Sequence, residues 1–178
     1  MHRVGGTTTT GEFGTMLKDL FDPGTAARFD WERWATLRGK RAYVFSYRVP
    51  KERSQYTITY ERTQTTTPGY TGLVYVDRDT LAIMRVTQDV LETPPGFPIT
   101  EVRNVLDYDY IDIAGQTFVL PLKASTVSRM AKAMFKNDTE FRMYNRFGTE
   151  STITFAPDPL TEEQVPPEAP PAAPPPKQ

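Results

Sequence analysis

The sequence predicts a mainly β protein, built as a curved antiparallel sheet or half-barrel of about nine to ten strands with one N-terminal amphipathic helix. Three observations predict this class: apolar and polar residues alternate with a period of two along most of the chain, short polar turns separate the alternating segments, and only one segment has clear helical spacing. Strands that follow each other through short turns form antiparallel meanders and not βαβ units.

The helix is predicted between residues 13 and 21. Its apolar side chains follow the i, i+3, i+4 spacing that places them on one stripe, and they are Phe13, Met16, Leu17, Leu20 and Phe21. The "DPG" stretch from Asp22 ends the helix. Helices that lie on membranes usually carry several basic residues, whereas this one has only Lys18. We therefore expect the stripe to pack on the protein's own sheet.

The strands are predicted from Ala27 onward. Two of them flank a turn at residues 37–40, and "AYVFSYRV" alternates aromatic and aliphatic side chains in the second. The further predicted strands lie in "SQYTITYERT", "GYTGLVYVDRDTLAIMRVT", "TEVRNVLDYDYIDI", "QTFVLPLKASTVSRM", "TEFRMYNRF" and "STITF". Before the helix, "TTTTG" is predicted to be a loop, with Thr9 and Glu12 forming a capping box.

Residues 1–156 are predicted to form a single β-rich domain, and residues 157–178 a disordered proline-rich tail. The tail holds nine of the 16 prolines and almost no large apolar side chain, so it buries too little surface to offset the entropy of ordering. Its "PPEAPP" stretch also has the P-x-x-P spacing of ligands for SH3- or WW-like grooves. That alternative stays open.

Composition excludes several classes of function. A formal net charge of −1 without a clustered basic stretch gives no case for nucleic acid as a partner. No apolar run reaches the roughly 18 residues of a transmembrane segment, and "MHRVGGTTTT" lacks the apolar region of a signal peptide. The absence of cysteine removes disulfides, thiolate nucleophiles and zinc–cysteine sites.

No residue pattern predicts a catalytic centre, a metal site or a cofactor. The only histidine is His2, which leaves no Ser-His-Asp triad or histidine metal cluster. Asp107 and Asp109 are about 6.6 Å apart on one face of a predicted strand, within the roughly 5–9.5 Å of glycoside hydrolase carboxyl pairs. Any D-x-D strand offers this spacing, so we expect solvated strand positions. Asp77 and Asp79 are expected in a hairpin turn and not in a calcium loop.

Several strands are apolar on both faces, as in "GLVYV" and "LAIMRV". Such a sheet must be covered on both sides or keep one side for a ligand, and one short helix covers only part of one face. Either the sheet curls and fills its own interior, or a concave, aromatic-lined groove holds an apolar ligand, or the missing cover lies outside this sequence. The predicted ligand-binding residues are Phe45, Tyr47, Tyr75, Tyr108 and Tyr110.

Several stretches resemble a family of uncharacterised exported bacterial proteins, over about Gly5 to Pro159. These stretches are "GEFGTML", "FDWERWATLRGKRAYVFSYRVP", "GLVYVDRDT", "VLDYDYIDIAGQTFVLPL" and "EFRMYNRFGTESTITF". The resemblance implies a periplasmic or secreted protein. Longer members of the family carry a signal peptide and more chain before the "GEFG" segment, which leaves open whether residues upstream of Met1 complete the fold.

A looser likeness, of topology and not of motif, is to the periplasmic lipoprotein-carrier fold, a curved half-barrel with helices in its concave face and an acyl-chain site. The first hypothesis is therefore a non-catalytic envelope protein that binds a lipid or other apolar ligand in a concave sheet face. The second is a protein–protein interaction or scaffold module whose sheet is self-filled. The third is a carboxylate-dependent hydrolase that uses Asp107 and Asp109. Fold likeness alone does not choose between them.

Overall fold

The structure is a computed structural model that describes residues 7–10, 13–142 and 144, with side chains described from residue 15 onward within these ranges. The described part of the chain contains one α-helix, ten β-strands and two short 3-10 turns. Their bounds are β1 (Thr7–Thr10), α1 (Phe13–Phe21), β2 (Arg28–Leu37), β3 (Lys40–Val49), β4 (Thr57–Tyr60), β5 (Gln64–Thr66), β6 (Tyr70–Asp77), β7 (Ile83–Val90), β8 (Ile99–Ile113), β9 (Gln116–Met130) and β10 (Ala133–Glu140).

Seven of the strands form one antiparallel sheet in the order β10-β9-β8-β7-β6-β3-β2, and the other three form a small sheet in the order β1-β4-β5. Strand β3 pairs with β6 because β4 and β5 leave the large sheet and join β1. In the described residues, β2 and β10 are the edges of the large sheet, which is thus an open, curved half-barrel. The predicted fold class is confirmed.

Two tight hairpins depend on glycine. Arg38 and Gly39 join β2 to β3 with φ angles of 46° and 77°, and Ala114 and Gly115 join β8 to β9 with 51° and 76°. Two consecutive residues with positive φ match the right-handed twist of paired strands, and glycine adopts this conformation without steric cost. These turns keep the chain neighbours β2–β3 and β8–β9 adjacent in the sheet.

Helix α1 packs on one face of the large sheet, which we call the helix face; we call the opposite side the outer face. Leu20 is fully buried there, and Met16 and Leu17 pack against the same core. The sheet contributes the remaining buried side chains of this core, Tyr47, Val49, Tyr70, Val74, Val86, Leu106, Tyr108 and Ala124. The expected packing on the protein's own sheet is confirmed for Met16, Leu17 and Leu20, whereas Phe21 is exposed.

The predicted end of the helix at the "DPG" stretch is also confirmed. The carboxylate of Asp22 accepts a hydrogen bond from the backbone N–H of Gly24 at 2.6 Å, where the chain enters a short 3-10 turn at Pro23–Thr25. The proline cannot continue the α-helical hydrogen bonds. In the described part of the chain, no helix is both long and apolar enough to cross a membrane.

The small sheet supplies a second core at one end of the large sheet. Ile58 of β4 is buried together with Ile99 and Val102 of β8. A buried polar group joins the two cores: the Asn104 side-chain amide donates to Gln88 at 2.9 Å and to the Tyr56 hydroxyl at 3.1 Å. These bonds offset the cost of burying the amide between apolar layers.

Two predictions about element positions differ from the structure, and one strand was not predicted. The "TTTTG" segment was expected to be a loop, but Thr7–Thr10 pairs with β4, because β-branched threonines suit an extended strand. Strand β10 was not expected, since six of its eight positions read as polar or small; pairing with β9 supplies its order. Of the strand predicted in "TEFRMYNRF", Thr139 and Glu140 belong to β10, residues 141, 142 and 144 belong to no strand, and residues 143 and 145–147 lie outside the described residues. Glu12 of the capping box, the "STITF" strand and the tail at 157–178 lie outside the described residues.

Candidate functional site

The predicted ligand-binding residues lie on both faces of the large sheet. Phe45 and Tyr47 lie two positions apart on β3 and point to the helix face, as does Tyr108 on β8. Each is an even number of residues from a core residue of its own strand, and such residues share a face. Tyr110 follows Tyr108 by two positions on the same strand. Tyr75 pairs with β3 and β7 on the outer face. The structure therefore does not bring all five together, and their role in binding stays a prediction.

Tyr47 and Tyr108 belong to the core beneath α1. The Tyr47 hydroxyl donates to the carbonyl oxygen of Thr87 at 2.7 Å, and burial raises the pKa of Tyr47 well above its usual value. Burial also raises the pKa of Tyr108, whose hydroxyl has no hydrogen-bond partner in the described part of the chain. The two rings are thus packed in the core, with 2% and 4% of their surface exposed.

Beside α1, the helix face carries a group of exposed and half-buried rings that we call the aromatic surface. It consists of Phe21, Phe29, Trp31, Trp34, Tyr43 and Phe45. Trp31 and Trp34 keep 50% and 44% of their surface exposed. Large apolar side chains exposed in one group, and not singly, usually mark a binding surface.

A β-bulge puts both tryptophans on the same face. Trp31 pairs with Phe45 and Trp34 pairs with Tyr43, and the register shifts between Trp31 and Arg33. Without this extra residue, two side chains three positions apart on a strand would point to opposite faces. Strict alternation in the sequence therefore could not reveal the pair, and the predicted site contained neither tryptophan.

The rings of the aromatic surface contact each other in two sets. Trp31 meets Trp34 and Phe45 edge-on, with centroids 5.5 Å and 5.8 Å apart. Phe21, at the end of α1, stacks on Phe29 of β2 with centroids 5.4 Å apart. Edge-to-face and offset-stacked ring pairs are electrostatically favourable. They fix the orientation of the rings while leaving their outward faces open.

Arg41 places a positive charge on this surface. The guanidinium of Arg41 sits 4.9 Å from the Trp34 ring centroid, a cation–π distance. Arg41 precedes Tyr43 by two positions on β3 and so points to the same side. An apolar ligand that carries an acidic group would meet a positive charge at this end of the aromatic surface.

The carboxylates of the hydrolase hypothesis form ion pairs. Both oxygens of Asp107 accept hydrogen bonds from Arg85, at 2.6 Å and 2.9 Å, and Arg38 adds a third at 3.2 Å. Arg38 also approaches Asp109 at 3.7 Å. The expectation that Asp107 is a solvated strand position was wrong: its side chain is largely buried, because Arg38 reaches it from a hairpin remote in sequence.

Asp77 organises the β6–β7 turn, as predicted. Its carboxylate accepts hydrogen bonds from the backbone N–H groups of Asp79 at 2.8 Å and Thr80 at 3.3 Å, and it lies 3.5 Å from the Lys40 ammonium. Burial alone would raise the pKa of Asp77, but these hydrogen bonds and the positive charge outweigh it and lower the pKa. Among the residues that the structure describes, no group of three or more side chains could hold a metal ion.

Comparison of the chain with protein-family models, with curated proteins and with solved structures found no match. The resemblance to exported bacterial proteins and the likeness to lipoprotein carriers therefore stay predictions.

Proposed function

We propose that this chain is a non-catalytic binding protein for a lipid or another apolar ligand, which it holds on the helix face. The observation that carries the proposal is the aromatic surface, with Trp31, Trp34 and Phe29 all exposed beside a packed core. A monomeric protein gains nothing in stability from leaving such rings in water. An occupant that covers them would remove that apolar area from solvent.

The exposed area is large enough for useful affinity. Aromatic side chains bury 150–250 Å² each when covered, so four rings that are about half exposed present roughly 400 Å². At about 25 cal/mol per Å², covering them is worth about 10 kcal/mol before other costs. Association costs at least about 4 kcal/mol, which leaves a Kd on the order of tens of micromolar.

The site lies beside α1 and not beneath it. Leu20 and the tyrosines under the helix are already buried, so their burial contributes to folding and is not available for binding. Phe21 is exposed at the end of the same helix and stacks on Phe29. The helix thus forms one wall of the site, with the aromatic side chains of β2 and β3 as its floor.

Tryptophan fluorescence tests the proposal directly, because Trp31 and Trp34 are the only tryptophans in the chain. We expect a bromine-labelled fatty acid to quench their emission on binding, and the unlabelled fatty acid to compete with it. Phe29→Ala should weaken binding by about tenfold, the equivalent of about 1.4 kcal/mol of lost contact, while both reporters stay in place.

Phe118→Ala is the matched control. Phe118 is as exposed as Phe29, at 38% against 39%, and it pairs with Ile111 on the outer face. We expect this variant to bind as the wild type does. Absence of quenching, or equal loss of affinity in both variants, would contradict the proposal.

A protein–protein interaction module is the second candidate, and the free edge at β10 favours it. Met134 and Phe135 are exposed on this strand, and its outer side has no partner strand among the described residues. Such an edge accepts a strand from another chain. A partner bound at β10 would leave the emission of Trp31 and Trp34 unchanged, whereas a ligand on the aromatic surface changes it.

A further inference from the structure

The outer face carries a row of charged side chains that crosses four strands. The register places Arg85, Asp107, Lys123 and Glu140 next to one another from β7 to β10. Opposite charges alternate along the row, and cross-strand neighbours have Cβ atoms about 4.5–5.5 Å apart. The chain neighbours of these residues, such as Leu106 and Ala124, belong to the core on the helix face, so the row is separate from the aromatic surface.

Each carboxylate of the row also accepts a hydrogen bond from an arginine outside the row: Asp107 from Arg38, and Glu140 from Arg142. Arg38 joins Arg85 on Asp107 and also donates to the backbone carbonyl oxygens of Met84 and Tyr108. The Asp107 carboxylate raises the pKa of Arg85 chiefly through its hydrogen bond. These contacts hold Arg38 and Arg85 in place while 30% and 31% of the two side chains stay exposed.

At the other end of the row, Arg142 binds Glu140. The hydrogen bond from Arg142 lowers the pKa of the Glu140 carboxyl. Lys123 lies between Asp107 and Glu140 in the register, yet within residues 15–142 it has no ion pair shorter than 4.0 Å. The N–H donors of its ammonium therefore form no hydrogen bond with the carboxylate of Asp107 or of Glu140.

These side chains surround a cleft of about 390 Å³ that we call the cationic cleft. Four cations and two carboxylates line it, so its formal charge is positive, and Leu122 and Phe141 add an apolar wall. The full lining is Arg38, Arg85, Asp107, Leu122, Lys123, Glu140, Phe141 and Arg142. Its volume lies within the range of about 300–1,000 Å³ found for small-molecule sites.

A second cleft on the sheet has no excess of positive charge and so contrasts with the cationic cleft. It has the same volume, about 390 Å³, but its charges balance in two pairs. Arg103 binds Asp89 at 2.5 Å, and Arg129 binds Glu101 at 2.9 Å. Because each cation there has its own carboxylate, that cleft has no excess charge to attract an ion.

We propose that the cationic cleft binds a small organic anion, a carboxylate or phosphate carried on a compact apolar body. The anionic oxygens accept hydrogen bonds from Lys123 and from the partly exposed arginines, whose planar guanidinium groups match carboxylates and phosphates geometrically. The apolar body lies against Leu122 and Phe141. The site is distinct from the aromatic surface and does not depend on lipid binding there.

Three small aromatic probes test the charge requirement: benzoate, phenyl phosphate and benzamide, which is neutral and has the size of benzoate. In isothermal titration calorimetry we expect at least one of the two anions to bind with a Kd on the order of millimolar, and benzamide to bind about tenfold more weakly or worse. The stronger of the two anions identifies the head group. Equal binding of all three probes, or no binding of either anion, would overturn the proposal.

Lys123→Gln and Lys132→Gln locate the binding. Both changes remove one positive charge from an exposed lysine, but Lys132 lies in the β9–β10 turn outside the cleft. We expect Lys123→Gln to weaken anion binding by about tenfold, the loss of one charge-assisted hydrogen bond, and Lys132→Gln to leave it unchanged. Equal effects of the two variants would mean general attraction by surface charge and would refute a defined site.

Discussion

Replacing Leu20 with alanine tests whether α1 is a packed part of the fold or a mobile cover over a ligand site. Leu20 is only 1% exposed and lies in the core beneath the helix. The change removes about three buried carbons, worth about 2.4 kcal/mol at 0.8 kcal/mol for each. The cavity that remains raises the expected loss of unfolding free energy to about 2–5 kcal/mol.

The short length of α1 makes this loss informative. A helix of nine residues is not stable alone in water and depends on tertiary contacts. Leu20 is its fully buried anchor, while Met16 and Leu17 are partly buried. If Leu20→Ala makes the helix leave the sheet while the sheet stays folded, the loss of unfolding free energy cannot exceed the free energy of docking the helix. A loss near about 2 kcal/mol, the lower end of the expected range, is what such local undocking would give.

Urea unfolding measures the effect, followed by the emission of Trp31 and Trp34 and by circular dichroism. The control is Leu81→Ala, the same change at a turn position that is 69% exposed. We expect it to alter the unfolding free energy by no more than about 0.5 kcal/mol. If Leu20→Ala matched this control while fatty-acid binding changed, the helix would be a mobile cover and the packing argument would be refuted.

Three further predictions concern the sheet. A Cβ at Gly72 would lie 1.9 Å from a carbonyl oxygen of β7, so Gly72→Ala should cost about 3 kcal/mol or more in urea unfolding, and a near-neutral result would contradict the close approach. Burial raises the pKa of Tyr70 from 10.0 to about 12, so the protonated phenol contributes its full stabilisation below pH 10 and loses it as pH rises toward 12. Tyr70→Phe should therefore flatten the fall in unfolding free energy at alkaline pH, and an unchanged fall would exclude Tyr70 as its cause. Asp107→Asn leaves Arg85 without its carboxylate and should cost about 1–3 kcal/mol, whereas Asp112→Asn, at an exposed position, should cost less than about 0.5 kcal/mol; equal losses would mean that the ion pair adds nothing.

Local patterns in the sequence were enough to predict much of the fold. The alternation of Tyr43, Phe45 and Tyr47 correctly placed them on one face of a strand, because side chains on a strand must alternate. The helical spacing before "DPG" correctly predicted α1. The local hydrogen bonding of aspartate correctly placed Asp77 in a turn.

The candidate sites were less predictable than the fold. The pattern of its own strand predicted a solvated Asp107, whereas the structure pairs it with Arg85 on the neighbouring strand and with Arg38, 69 residues away in sequence. The cationic cleft depends on this contact and on β10, which local alternation did not indicate. The aromatic residues proposed from the sequence included Phe45 at the edge of the aromatic surface but missed its tryptophans.

The sequence by itself determined the helix, most of the extended segments and of the turns between them, and which side chains share a face within an uninterrupted strand. These properties follow from the spacing of neighbouring residues. Only the tertiary structure decided that β4 and β5 leave the large sheet, that a bulge brings Trp31 and Trp34 to one side, and that Lys123 lies between two carboxylates already bound by arginines. Strand partners and bulges depend on the packing energy between residues far apart in the chain, and a local sequence pattern does not show which distant residues come into contact.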